Sequence, residues 1–361
     1  MDTKGSNNII ALDILRGLAA SFVFFYHLHI GTLLYKTTGI SYFDYIDLIG
    51  AEYAVPIFFI LSGYCIELSV QNTVKRKGAF HLKEFYARRL KRIYIPYFFA
   101  LFFSIIANYI VLPGYTLGIA DFAMHLFVFQ GFSNTYFNTI NVVLWTISIE
   151  LAFYFLYPIF FYLKKHHGLF KTLAVLSIIS VFSVIMTSYL KPENSLPYRY
   201  FPISLFAAWC LGCALCNLKN SNSALKNYLF VFTIASTPFI LLPLLYQKTH
   251  VISSYNLKII YSGLPLLAFL KLNPIFVKYY VGFKIPQLIG LSSYSLYLLH
   301  EPLILLKGLV INTYLYNYNK NLLHVTGIII IFLLCYLTYL IIEKPILNKN
   351  RKTNSVLAVA E

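Results

Sequence analysis

The chain has 361 residues, of which 59% are hydrophobic and only 12% charged, with a mean hydropathy of +0.69. A soluble domain carries about 25% charged residues, so a water-soluble globule is excluded and a membrane protein is indicated. The net charge of +16 is not a nucleic-acid signature, because no soluble basic domain or aromatic RNA-reading motif accompanies it; crowding of Lys and Arg on one face of a membrane explains it more simply.

A bilayer core takes ~20 apolar residues per helix. Stretches of about that kind lie at 14–34, 53–71, 93–112, 142–163, 172–190, 201–218, 228–246, 257–271, 285–306 and 322–342. The segment 121–132 (DFAMHLFVFQGF) is too short to cross and reads as an interfacial or re-entrant helix. The predicted fold is therefore all-α, a polytopic membrane bundle of about ten transmembrane helices. With the N-terminus in the cytoplasm, 22 of the 29 Lys and Arg residues fall on the inner side and 7 on the outer. That asymmetry predicts cytoplasmic N- and C-termini. The first span is a poor cleavable signal peptide: it is long, charged inside and lacks a small-residue cleavage site. Cys65, Cys210, Cys213, Cys216 and Cys335 all lie in apolar stretches and read as packing residues. Neither a disulfide framework nor a metal site is expected, since the cysteine triplet lacks nearby His or acidic partners.

The charged residues inside the spans carry the functional signal. An Asp or Arg at mid-helix costs ~2.5–3.5 kcal/mol on insertion scales. The first span, ALDILRGLAASFVFFYHL, nonetheless holds Asp13, Arg16 and His27. Asp13 and Arg16 are three apart and suit an ion pair. His27 is roughly 16 Å beyond Arg16 along a helix. It reads either as a general base or nucleophile, or as a packing imidazole. The basic run VKRKGAFHLKEFYARRLKRIYIP reads as a topology signal on anionic lipid. Arg89 and Arg92, on one helix face and abutting the next span, also suit a phosphate group. Glu150 in VVLWTISIELAFYFLYP and His300 in SSYSLYLLHEPL fall at about the depth of His27, which predicts a shared polar cavity. Pro302 removes a backbone hydrogen bond beside His300. Glu343 in IEKP reads as an interfacial charge partner. Ser62 and Gly63 in FFILSGYCI suit close helix approach, or approach of backbone to a ligand. The many Tyr and Phe residues suit interface belts, with Trp145, Tyr198 and Tyr200 as candidates for stacking on a sugar.

These pieces, in this order, resemble the acyltransferase-3 family of integral membrane acyltransferases. LDILRGLAASFVFFYH resembles its opening, PIFFILSGYCI its second span and ARRLKRIYIPYF its Arg-rich inner loop. LWTISIELAFYFLYP resembles its Trp–Ser–Glu segment, and YSLYLLHEPL and IIEKP its closing stretches. Ile14 departs from the family, where Gly is frequent. The resemblance runs from about residue 9 to about 345, which gives a membrane domain over 1–345 and a polar cytoplasmic tail over 346–361.

The resemblance implies transfer of an acyl group, often acetyl from acetyl-CoA, to a sugar of a surface polysaccharide, lipopolysaccharide or glycolipid. It makes His27 the catalytic histidine, Glu150 a functional carboxylate that orients the imidazole, and Arg89 and Arg92 the acyl-CoA contacts with Arg88 nearby. Asp13, Arg16, Ser62, Trp145, Ser148 and His300 become supporting residues. Acyl-CoA enters as donor substrate, with no bound cofactor. His27 either deprotonates the acceptor hydroxyl or carries the acyl group itself. The expected partners are the acyl-CoA, a carbohydrate or glycolipid acceptor and membrane lipid, with no nucleic acid; a homo-oligomer stays open. The expected location is a bacterial inner membrane. Larger relatives carry an extra esterase-like domain, and this chain is expected to work alone or with a separate partner. A glycan or lipid transporter, and a succinyl or longer-acyl transferase, are the alternative readings.

Overall fold

The computed structural model describes residues 9–190, 196–218 and 224–348. The tail from 349 onward lies outside them, as do Lys4, Lys191, Lys219, Lys349, Arg351 and Lys352 of the charge count and the side chain of Lys320. The order is α1 (Ile10–His27), α2 (Ile30–Thr38), α3 (Asp44–Glu52), α4 (Ala54–Lys77), α5 (Leu82–Val111), α6 (Ile119–Leu126), α7 (Trp145–His167) and α8 (Leu169–Leu190). There follow α9 (Leu196–Arg199), α10 (Pro202–Leu218), α11 (Ala224–Leu245), α12 (His250–Tyr261), α13 (Gly263–Lys278), α14 (Tyr280–Leu291), α15 (Ser293–Thr313) and α16 (Lys320–Thr338). A π-helical turn, Tyr339–Glu343, follows the last of them, and the helix continues over 344–348. The described residues contain no strand. Ten helical stretches among them are long and apolar enough to cross a membrane, with α12 and α13 together making one.

Three predicted spans are divided, one of them the stretch 257–271, at Ser262 between α12 and α13. The stretch 14–34 breaks at His29, which takes a left-handed backbone at φ 52°. The break is held by Asp47 of α3, whose carboxylate accepts from the amides of Gly31 and Thr32 at 2.9 Å each. Those amides head α2 and have no partner within it, so a carboxylate there ends one helix and starts another. His27 thus sits on the last turn of α1. The stretch 285–306 likewise breaks at Ser292, between α14 and α15. The segment 121–132 forms only the eight-residue α6 and a short 3-10 turn, too short to span.

Between helices in lipid there is little hydrophobic drive, so close packing and internal hydrogen bonds must hold the bundle. Gly63 and Gly212 let α4 and α10 meet backbone to backbone: a Cβ on Gly212 would lie 2.2 Å from the Ile60 carbonyl. Of the two sequence readings of Gly63, close helix approach is the one observed. Gly290 does the same for α14 on α1, where a Cβ would lie 1.8 Å from the Asp13 carbonyl. Cys210, Cys213 and Cys216 are buried on α10 and are not in disulfides, and Cys213 donates to the Gly63 carbonyl at 3.2 Å. They pack, as expected.

The polar interior is also bonded. Glu67, unmarked by sequence reasoning, is fully buried. It pairs with Lys164 and accepts from the Tyr157 hydroxyl at 2.8 Å and the Gln71 amide at 2.9 Å. Gln71 in turn reaches Asn217 at 3.0 Å, so one buried carboxylate ties α4, α7 and α10. At Pro302 the missing amide frees the carbonyl four residues earlier, that of Leu298. Asn141, in the irregular segment before α7, donates to this carbonyl and to the Ser104 hydroxyl, both at 3.0 Å. Irregular backbone and a proline-broken helix therefore satisfy each other away from water.

Candidate active site

A cavity and a neighbouring cluster of ionisable side chains lie inside the bundle. The cavity, of about 290 Å³, is lined by Asp13 and Arg16 of α1, Ser62 and Cys65 of α4, Arg89 and Arg92 of α5, Glu150 and Tyr154 of α7, Tyr294 and Tyr297 of α15, and Glu343. That size sits at the low end for small-molecule sites, ~300–1,000 Å³. Arg89 and Arg92, one turn apart, both reach it, as their spacing predicts. Arg16 joins them as a third guanidinium and makes the predicted pair with Asp13 at 3.4 Å. It also donates to the Cys65 sulfur at 2.7 Å, which makes Cys65 a cavity residue as well as a packing one. Three planar forks converging on one cavity suit an oxyanion such as phosphate, which Arg grips bidentately.

Arg88 does not join this cluster. It turns to Glu84 at 3.1 Å and to the Thr73 hydroxyl at 3.3 Å, and it does not line the cavity. On a helix, adjacent residues point about 100° apart, so neighbours of a lining pair need not line. Glu343 corrects its sequence reading too: it is only 9% exposed, accepts from the Ser295 hydroxyl and faces the cavity instead of the interface.

Glu150 accepts from the Ser62 hydroxyl at 3.0 Å and from the Tyr154 hydroxyl. Tyr154 lies four residues on, the spacing that shares a helix face, and was findable from sequence on that ground. Glu150 is not the carboxylate that meets His27, contrary to the expectation from depth. That carboxylate is Glu301, in contact with His27 Nδ1. A carboxylate on Nδ1 fixes that nitrogen as the donor and leaves the lone pair on Nε2. Sequence reasoning passed over Glu301, although it follows His300 directly and so lies at the same depth. The place of Glu301, directly after His300 and before Pro302, was the available signal.

His300 does meet His27, as expected from their shared depth: the rings lie 5.0 Å apart, edge to face. His300 is fully buried. Its Nδ1 lies 3.0 Å from the Leu296 carbonyl, which can only accept, so Nδ1 donates and Nε2 keeps a lone pair. That Nε2 is buried with no hydrogen-bond partner. Tyr297 links the cavity to the His300 cluster. Its ring is 6.1 Å from that of His300, its hydroxyl is 2.9 Å from the Thr146 hydroxyl, and it lines the arginine cavity. Tyr297 thus borders both the arginine cavity and the His300 ring, while His27, His300 and Glu301 do not line that cavity.

The remaining sequence candidates serve as scaffold. Ser148 accepts from the Gly131 amide at 3.1 Å and pins the loop ahead of α7. Trp145 and Tyr200 stack on each other at 4.2 Å, with Phe137 against both. The faces Trp145 and Tyr200 turn to one another are taken up by that stack, and both residues, like Tyr198, are half-buried.

Residues 9–341 match a family model described as an acyltransferase domain. Among curated proteins, the chain is 25% identical over 375 residues to the O-acetyltransferase OatA of Staphylococcus aureus, which covers 96% of this chain and 58% of that protein. It is 27% identical over 367 residues to the peptidoglycan O-acetyltransferase OatA of Listeria monocytogenes, covering 93% of this chain and 55% of that one. The chain thus spans just over half the length of these relatives. No solved structure gives a significant match.

Proposed function

Because the chain belongs to the acyltransferase domain family, we propose that it is a membrane O-acetyltransferase carrying acetyl from acetyl-CoA to a sugar hydroxyl of a bacterial surface glycan. The names of its relatives, O-acetyltransferases and in one case a peptidoglycan O-acetyltransferase, support that reaction and that class of acceptor. The observation that carries the reading is the His27–Glu301 pair beside His300, whose ring neighbours Tyr297 of the arginine-lined cavity.

Arg89, Arg92 and Arg16 bind the phosphates of the CoA, which hydrocarbon would exclude. Their end of the bundle faces the cytoplasm, where the donor is made, in keeping with the charge asymmetry of the sequence. The pantetheine arm runs up the cavity past Tyr154 and displaces the Tyr297 ring to bring the thioester to His27. Nε2 of His27 takes the proton of the acceptor hydroxyl as its oxygen attacks the thioester carbonyl. The carbon–sulfur bond then breaks, and the imidazolium returns the proton to the departing CoA thiolate. Glu301 holds the ring in the required tautomer and offsets its transient positive charge, the part a carboxylate plays toward histidine in hydrolytic triads. Glu150, with Ser62 and Tyr154, shapes the channel and does not touch the base.

Membranes bearing the chain, incubated with radiolabelled acetyl-CoA, test the reading. Label passes to glycan with the wild type and falls to background with His27→Ala at equal protein level. Wild-type labelling by His27→Ala would remove the assignment. Glycan crossing the membrane with no label attached would replace it with a transporter.

A further inference from the structure

His27, His300 and Glu301 each present one ligand atom within 4.8 Å of the others. Two imidazole nitrogens and one carboxylate oxygen are the donor set of open three-ligand zinc sites. In a tetrahedral site with ~2.0–2.1 Å bonds the donors stand ~3.4 Å apart. The present triangle is therefore at most ~1.4 Å wide of that closure. His27 and Glu301 side chains are each 19% exposed, whereas His300 is buried and held by its Leu296 bond. The strongest pointer is the His300 Nε2. It is fully buried, keeps its lone pair and has no hydrogen-bond partner, a state that costs free energy unless something occupies it. Imidazole nitrogens favour Zn²⁺ and its neighbours over Mg²⁺ or Ca²⁺, which prefer all-oxygen shells. The three guanidinium groups of the adjoining cavity repel a dication, so an ion enters from the exposed side of His27 and Glu301.

We infer that His27, His300 and Glu301 form a capture site for one transition-metal dication of the Zn²⁺ type, and that the ion, once held, switches the transferase off. The second half rests on the proposed role of His27: a metal that takes the imidazole lone pair leaves no base for the acceptor hydroxyl. The first half stands on the geometry alone.

Tag-free, chelator-stripped protein in detergent is titrated with Co²⁺, whose visible absorption is intense when four-coordinate and faint when six-coordinate. One Co²⁺ per chain with the intense bands, displaced by one Zn²⁺, is the expected result. His300→Ala and Glu301→Gln each weaken the affinity by more than ~10²-fold, beyond the 10–100-fold that losing an outer-shell partner costs. Both variants are compared with wild type by melting temperature, so that a misfolded one is recognised and the other decides. His166→Ala, a histidine near the end of α7 and exposed, leaves the spectrum unchanged. Absence of the intense bands, or bands that persist in both variants, overturns the site. In parallel, stoichiometric Zn²⁺ abolishes acetyl transfer and chelator restores it. Metal binding with transfer still at full rate keeps the capture site, refutes the switch and removes His27 from the chemistry.

Discussion

The sharpest prediction concerns which carboxylate serves His27. Glu301→Gln keeps the shape of the side chain and removes its charge. In the structure Glu301 touches His27 Nδ1, while Glu150 is engaged with Ser62 and Tyr154. A hydrogen bond to a charged partner contributes about 1.5–3 kcal/mol. The imidazole bears its charge only as the proton moves, so that sum falls on the transition state and not on donor binding. At ~1.4 kcal/mol per decade, Glu301→Gln lowers kcat about 10- to 100-fold and leaves KM for acetyl-CoA within about twofold. The exposed edge of the pair, at 19% for each side chain, screens the charge and keeps the loss below the ~10⁴-fold seen when a fully buried triad carboxylate is neutralised. Glu150→Gln disturbs the channel wall instead and raises KM for the donor. The assay is the initial rate of label transfer in membranes across a range of acetyl-CoA concentrations. Wild-type kcat in Glu301→Gln, together with collapse to the His27→Ala level in Glu150→Gln, would refute this assignment and return the role to Glu150.

Three other outcomes follow from the geometry. Arg89→Ala raises KM for acetyl-CoA at least tenfold, while Arg88→Ala, whose side chain faces Glu84 and Thr73, leaves KM unchanged; the same rate assay separates them. Gly212→Ala sets a Cβ 2.2 Å from the Ile60 carbonyl, so α4 and α10 must part, at a cost of about 3 kcal/mol. It shows as a lower melting temperature in detergent and reduced accumulation in membranes. Asn141→Ala strips the partner from the Leu298 carbonyl and the Ser104 hydroxyl, and lowers stability by about 1–2 kcal/mol, given that interhelical hydrogen bonds in membranes reach ~1.7 kcal/mol each. Asn141→Asp, which loses the donor but not the volume, lowers the melting temperature as well.

Much of the bundle was legible because hydropathy and length are local. A run of ~20 apolar residues has nowhere else to go, and ten such runs were readable without any knowledge of their neighbours. The i, i+3 pairs Asp13–Arg16 and Arg89–Arg92 were equally local, since a helix fixes which side chains share a face. Depth brought His27 and His300 to the same level, and their rings do meet. Depth misled at Glu150. It gives position along a helix axis but not rotation about it, and two helices at one level present many wrong pairs for each right one.

The sequence by itself determined that this chain is a membrane bundle and where its spans lie, because burial in hydrocarbon filters residue types one segment at a time. Only the tertiary structure decided that Glu301 meets His27, that Arg88 leaves the arginine cluster, that Glu343 turns inward and that Tyr297 lies between the arginine cavity and His300. Those choices depend on helix rotation, on the break at His29 and on the Asn141 bond that mends α15 at Pro302. They are set by contacts between residues far apart in the chain, and no periodicity records them.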